Sequence, residues 1–196
     1  MTEGSYLRWG AVVVPWSAAW SSESDRSAVF IRTERIGRHS LRFLCDGPNT
    51  PRQGRPMFKT LHNERCRDLI RRRQCQICRA ALPAEAICMN QGEREGIYPL
   101  INDGLPMCRP CAVLALEQCP GLRRASEAGE LRIWRAAAWE YAPVLIGMAD
   151  PANGGNPVLN ALLAKERGSV FSGVKLVLTR FGGISASVLV AQQEAA

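Results

Sequence analysis

Two cysteine pairs, Cys75-Gln76-Ile77-Cys78 and Cys108-Arg109-Pro110-Cys111, constrain this chain more than any other feature. Each is a CxxC, and 29 residues separate Cys78 from Cys108. One CxxC places two sulfurs on a single tight turn. Two such turns brought together supply the four thiolates of a closed tetrahedral zinc site. A redox dithiol and an iron site are the competing chemistries. A four-thiolate zinc leaves no open position for water, so the metal expected here is one structural Zn²⁺ on Cys75, Cys78, Cys108 and Cys111, with no catalytic role.

The rest of the composition permits an ordinary core. With 196 residues, 46% of them apolar and 22% charged, the chain suits one large domain or two small ones. No run approaches the roughly 18 uninterrupted apolar residues of a membrane helix. The apolar stretch from Ala11 to Trp20 is short, broken by Pro15 and preceded by Glu3 and Arg8, which makes a poor secretory signal. The eight cysteines are therefore expected in a reducing, cytoplasmic setting, where paired CxxC units serve as metal ligands rather than disulfides.

Charge is unevenly placed. Residues 1–80 hold 15 Lys+Arg against 7 Asp+Glu, whereas residues 81–196 hold 10 against 11. Arg outnumbers Lys 22 to 3, which suits bidentate phosphate contacts and equally fits a GC-rich genome.

Along the chain, Leu7–Trp9, Ala11–Val14, Ala28–Arg32 and Leu41–Cys45 have strand character, with a turn at Ile36-Gly37-Arg38. Asp46–Pro51 and Gly54–Pro56 predict a loop or linker. A helix is predicted over 60–73, capped by Thr60 and carrying Arg65, Arg67, Arg71, Arg72 and Arg73 into Cys75. Ala84–Asn90 and Gly96–Ile101 predict a hairpin between the cysteine pairs. Ala112–Gln118 continues as a helix that the second CxxC opens, stopped by Pro120-Gly121. Beyond it, Leu131–Arg135 and Val144–Ile146 lean towards strands, and Val158–Glu166 towards a helix opened by Pro157. Val174–Phe181 and Ile184–Ala191, joined by Gly182-Gly183, predict a closing hairpin.

Gly usually follows both CxxC units of a zinc ribbon, but Arg79 and Ala112 stand there instead. The order of knuckle, hairpin and helix-opening CxxC resembles the treble-clef family of zinc fingers, over about residues 73–119. The Arg-rich helix, the knuckle and the Cys119-Pro120-Gly121-Leu122-Arg123-Arg124 run are also similar to uncharacterised zinc-finger proteins of actinobacteria and their phages, which implies no particular activity. The expected fold class is α+β, with β-rich flanks around one embedded treble-clef-like zinc finger of four cysteines. Its parts are a β-rich segment 1–55, the basic helix and finger 56–125, and an α+β segment 126–196 ending in a hairpin, either separate or integrated in one domain.

Four thiolates on Zn²⁺ carry a formal charge of −2. The helix N-terminus at Cys108–Cys111 and Arg71, Arg72, Arg73, Arg79 and Arg109 would offset it. The same arginines are open to two other readings, a solvated helix face or phosphate binding. His62, Cys66, Cys88 and Cys119 raise a second metal site, against which stands ordinary burial and capping. Cys45 suits the core.

HNH-type nucleases share the treble clef, but their chemistry needs a His on the hairpin or helix, and no His follows His62. No Walker loop or Gly-x-Ser-x-Gly elbow is present. The expected function is therefore non-enzymatic nucleic-acid binding through Arg65, Arg67, Arg71, Arg72, Arg73 and Arg79, with Trp9, Trp16 or Trp20 stacking on bases. The alternative is a protein-interaction or scaffold protein in which zinc is purely structural.

Overall fold

Short β-branched and aromatic runs, broken by Gly and Pro, favour strands over helices. The computed structural model describes residues 6–23, 30–36, 38–45, 47–91, 101–102, 105–145 and 168–194. Among these residues strand outweighs helix by 46% to 26%. In chain order the strands are β1 (Leu7–Trp9), β2 (Val12–Val14), β3 (Ala18–Trp20), β4 (Phe30–Ile36), β5 (His39–Cys45), β6 (Pro56–Leu61), β7 (Ala86–Gln91), β8 (Ile101–Asn102), β9 (Leu131–Leu145) and β10 (Phe171–Ile184). The helices are α1 (Asn63–Arg71), α2 (Arg109–Gln118), α3 (Pro120–Glu127) and α4 (Ala186–Glu194).

The expected α+β class, with β-rich flanks around one embedded treble-clef-like finger, is corrected by this architecture. The protein is mostly β, and its main sheet is mixed, in the order β4-β5-β10-β9-β7 with β8 beside β10. The physical reason lies in β7. Although it sits between the cysteine pairs, it pairs antiparallel with β9, from Ala86↔Ala136 to Gln91↔Leu131. The stretch between the cysteine pairs therefore contributes a strand to the main sheet.

The chain forms two units, each assembled from separate segments. The first comprises Met1–Trp16, Arg72–Ala142 and Lys175–Ala196. The second comprises Ser17–Arg71 and Pro143–Val174.

In the second unit, β4 and β5 form a hairpin in continuous register from Phe30↔Cys45 to Ile36↔His39, and β10 joins β5 in parallel at Phe171↔Phe43. β3 pairs with β6, with a register shift between Ala18 and Ala19. The stretch expected to be linker up to Pro56 thus leads into an edge strand, a place where Pro is tolerated because no ladder bond needs its nitrogen. Gly54 makes the approach possible: a Cβ there would lie 2.1 Å from Ser21 Oγ. Helix α1 begins at Asn63, later than predicted, because Thr60 and Leu61 complete β6. His62 then caps the helix, its carbonyl accepting the Cys66 N–H at 3.0 Å and its Nδ1 the Arg65 N–H at 3.4 Å.

In the first unit, one apolar cluster gathers Val13, Ile77, Ile87, Met89, Met107, Val113, Ile133 and Leu189 around the cysteines. Two differences from the sequence pattern shape it. α2 does end at Gln118, before Pro120-Gly121, with Cys119 in extended backbone, but a further helix follows instead of a loop. Pro120 takes the first position of α3, where its missing N–H costs nothing. The predicted closing hairpin is absent as well. β10 runs through Gly182 and Gly183 to Ile184, and α4 follows from Ala186 to Glu194. Ser185 caps that helix, its Oγ accepting the Val188 N–H at 3.2 Å, and Leu189 is fully buried. Capping and burial override the β propensity of Val188 and Val190.

The predicted hairpin between the cysteine pairs has its first arm in β7. Most of its second arm, and the helix predicted over Val158–Glu166, lie outside the described residues. Among the described residues no helix is long and apolar enough to cross a membrane.

Candidate metal centre

The first CxxC is held by a backbone loop that closes on itself. Gln74 and Ala81 form a bridge, the Cys75 N–H donates to the Ala80 carbonyl at 2.8 Å, and the Arg79 N–H donates to the Cys75 carbonyl at 2.9 Å. Folding back this tightly requires a left-handed residue after the second cysteine. Arg79 supplies it with φ 61°, although Gly would adopt it at lower cost. The second CxxC is set by α2: Cys108 is the N-cap, Pro110 lies in the first turn and the Ala112 N–H donates to the Cys108 carbonyl at 3.0 Å.

Two contacts bring the turns together. Gln76 donates its backbone N–H to the Pro106 carbonyl at 3.1 Å and its side-chain amide to the Leu105 carbonyl at 2.9 Å. Ile87 and Met107 exchange a pair of 2.8 Å backbone bonds, tying β7 to the residue before Cys108.

The four sulfurs lie within 4.8 Å of one another. Cys108 Sγ is 3.8 Å from Cys78 Sγ and 3.7 Å from Cys75 Sγ. A tetrahedron with Zn–S bonds of about 2.3 Å has an edge of about 3.8 Å. A disulfide would need about 2.05 Å, so the spacing fits a shared tetrahedral cation and not a bridge. All four thiols are free, and three are buried.

Their protonation makes the same point. Hydrogen bonds from Cys108, Cys111 and Cys78 hold the Cys75 thiol far below its ordinary value. The Cys108 bond likewise brings Cys78 down to about 7. Cys111 is pushed well up by its contact with Cys108 and the rest of the cluster. Four sulfurs this close cannot all ionise unless a cation neutralises them.

One residue at this site carried no sequence signal. Tyr6 places its hydroxyl 3.8 Å from Cys111 Sγ. The Cys111 thiol donates to that hydroxyl oxygen, and burial first, then this contact, push the phenol well above its ordinary value.

The six arginines expected to contact nucleic acid have different surroundings. Arg65 and Arg67 are buried, each 1% exposed. Arg65 donates to Glu23 Oε2 at 2.9 Å and to Asn49 Oδ1 at 2.8 Å. Arg67 forks onto Glu34 at 2.8 and 3.0 Å and lies over the Phe43 ring, 4.6 Å from its centroid. Both are internal cross-links of the second unit. Arg71 is exposed and pairs with Asp68 one turn earlier.

Arg72, Arg73 and Arg79 are exposed in the first unit. Arg73 lies over the Trp139 ring at 4.2 Å and Arg79 over the Trp16 ring at 4.2 Å. Arg73 also has a left-handed backbone, φ 51°, just past the end of α1. Among the described residues no carboxylate pairs with either guanidinium.

Of the tryptophans expected to stack on bases, Trp20 is buried, Trp16 lies under Arg79, and Trp9 is half exposed at 50%. The second metal site is not assembled. Among the described residues Cys75, Cys78, Cys108 and Cys111 are the one group of metal-ligating side chains close enough to share an ion. His62 caps α1, Cys66 and Cys88 are buried, and Cys119 precedes α3. Cys45 is buried in the core of the second unit, beside Arg67.

Comparisons with known protein families, curated proteins and solved structures found no match for this chain.

Proposed function

We propose that this is a non-enzymatic, zinc-stabilised protein that contacts nucleic acid through the exposed arginines flanking its first cysteine knuckle. Zinc is the ion of choice because four thiolates at tetrahedral spacing, closed to water, match its structural sites. The order of knuckle, strand β7 and helix-opening Cys108–Cys111 supports a treble-clef-like finger. Stable thiolates of this kind suit a reducing, cytoplasmic compartment.

One observation carries the functional half. Arg73 and Arg79 occupy left-handed positions where Gly would be cheaper, and each holds its guanidinium carbon over a Trp ring, 4.2 Å from the centroid, with no carboxylate partner among the described residues. Stacking engages the face of a guanidinium and leaves its in-plane N–H donors for an anion. Arg72 adds a third exposed charge, and Arg71 a fourth that is shared with Asp68. Arg65 and Arg67 act instead by holding the second unit together.

An electrophoretic shift with DNA and RNA oligonucleotides at about 50 mM salt, where phosphate contacts dominate, tests this. Arg73→Ala with Arg79→Ala should weaken binding to all sequences and lower the log K against log salt slope by about 1.5, since each lost contact removes about 0.7 to 0.9. No shift with either nucleic acid, or an unchanged slope in the double variant, would refute it.

A further inference from the structure

In the second unit Arg32 and Arg67 pair with Glu34, and Arg65 pairs with Glu23. A different set of cations stands on β6 and the loop before it. Residues 47–63 carry Arg52, Arg55 and Lys59 and no acidic residue. All three are exposed, and none pairs with a carboxylate among the described residues. Arg52 has a left-handed backbone, φ 74°; among the described residues it, Arg73 and Arg79 are the non-glycine positions with positive φ.

The segment is firmly held. The Arg55 N–H donates to Ser21 Oγ at 3.0 Å and its carbonyl accepts the Ser21 N–H at 2.9 Å, while Ser22 Oγ donates to the Gln53 carbonyl at 2.8 Å. In β6 the register steps from Ala18↔Leu61 to Ala19↔Met57, so Phe58, Lys59 and Thr60 bulge out of the ladder. Phe58 is 53% exposed, an aromatic ring half in water next to Lys59. A bulged strand is a poor template for a partner strand, so what this segment displays is its side chains.

We infer that this segment is a second nucleic-acid contact, where Phe58 stacks on an unpaired base and Arg52, Arg55 and Lys59 meet the phosphates of the same strand. This rests on the proposed nucleic-acid function and adds a preference for single strands. Charge complementarity names the occupant, because three exposed cations on one short segment without an acid suit a polyanion. The ring narrows it further. It needs a base whose own face is free, and in a duplex those faces are already stacked. A lipid surface shares the negative charge, but its grip grows with buried apolar area, and Phe58 and Leu61 are the only large apolar side chains this segment exposes.

The test is anisotropy titration of zinc-loaded protein with a labelled single-stranded oligonucleotide and with the duplex of the same sequence. The single strand should bind tighter. Phe58→Ala and Phe58→Leu should each weaken it about tenfold, whereas Phe58→Tyr, which keeps a ring, should stay near wild type. Arg52→Gln, Arg55→Gln and Lys59→Gln together should lower the log K against log salt slope by about 2, since each phosphate contact on a single strand contributes about 0.7. These side chains are exposed, and unchanged zinc content and circular dichroism separate lost contacts from misfolding. Equal affinity for strand and duplex, a Phe58→Leu variant that binds like wild type, or an unchanged slope in the triple variant overturns the inference. The proposed function survives that result if Arg73→Ala with Arg79→Ala still weakens binding. Absence of binding to either form overturns both. Binding to anionic vesicles that Phe58→Ala abolishes, without oligonucleotide binding, assigns the segment to a lipid surface and also overturns it.

Discussion

Arg79 offers a sharp test of how the knuckle is built, because two opposing terms meet in one side chain. Its φ of 61° lies in the left-handed region, where a residue with a Cβ is disfavoured by about 1 to 2 kcal/mol. Replacing it with Gly removes that strain but loosens the unfolded chain, which offsets about 0.4 to 1 kcal/mol. The relief that remains is about 1 kcal/mol, by the difference of those two terms. Either truncation also forfeits the stacking on Trp16, 4.2 Å away and worth about 0.5 to 1 kcal/mol at an exposed site. Arg79→Gly should therefore stay within about 0.5 kcal/mol of wild type, by the same two terms. Arg79→Ala keeps the strain and loses the stacking, so it should be the less stable of the two by about 1 kcal/mol. Urea unfolding of metal-replete protein, with m-values checked for constancy, measures the difference. An Ala variant as stable as the Gly variant would show that the knuckle stores no backbone strain at this position.

The buried ion pairs give a prediction with a sign in pH. Burial alone would raise the Glu34 carboxyl, but hydrogen bonds from Arg67 and Arg32 hold it below its ordinary 4.5. A depressed carboxylate contributes stability that is complete above the unfolded value and is lost as pH falls through the folded one. Glu34→Gln, which leaves the Arg67 charge buried without its counterion, should cost about 3 kcal/mol at pH 7 in urea unfolding. The gap from wild type should shrink as pH falls below about 4.5, where the unfolded chain's Glu34 takes up a proton that the paired, folded carboxylate does not; a gap that stays constant down to about pH 3 would contradict the pairing. Leu189→Ala should cost about 3 kcal/mol, because it opens a cavity where α4 meets the core around the cysteines. A neutral result there would mean that the tail does not pack as a helix on that core.

The part of the site legible in the sequence is the part made by local chemistry. Two CxxC units define their own turns, and four cysteines of this spacing have few other uses, so Cys75, Cys78, Cys108 and Cys111 were readable as one cluster. The helix opened by Cys108 was readable for the same reason, with Pro110 in its first turn and helix formers after it. Pairings over long separations were not. Nothing near Arg65 or Arg67 announces that Glu23 and Glu34, more than thirty residues upstream, will neutralise them, so a buried cross-link looked like a basic surface. Nor could β7 reveal that it pairs with β9, some forty residues further on. The tail failed through a competition between propensity and capping. Val188, Leu189 and Val190 favour a strand, yet Ser185 caps a helix and the buried Leu189 rewards it. Trp16 and Trp139 were visible as aromatic residues, but only the fold places them beneath Arg79 and Arg73.

The central claim is that the four cysteines share one structural zinc. X-ray absorption at the zinc edge of protein purified without added metal tests it most directly. The account predicts one zinc per chain with four sulfur neighbours at about 2.3 Å, and loss of both zinc and cooperative folding in Cys108→Ser. A first shell containing nitrogen or oxygen, or a folded protein with no stoichiometric zinc, would contradict it.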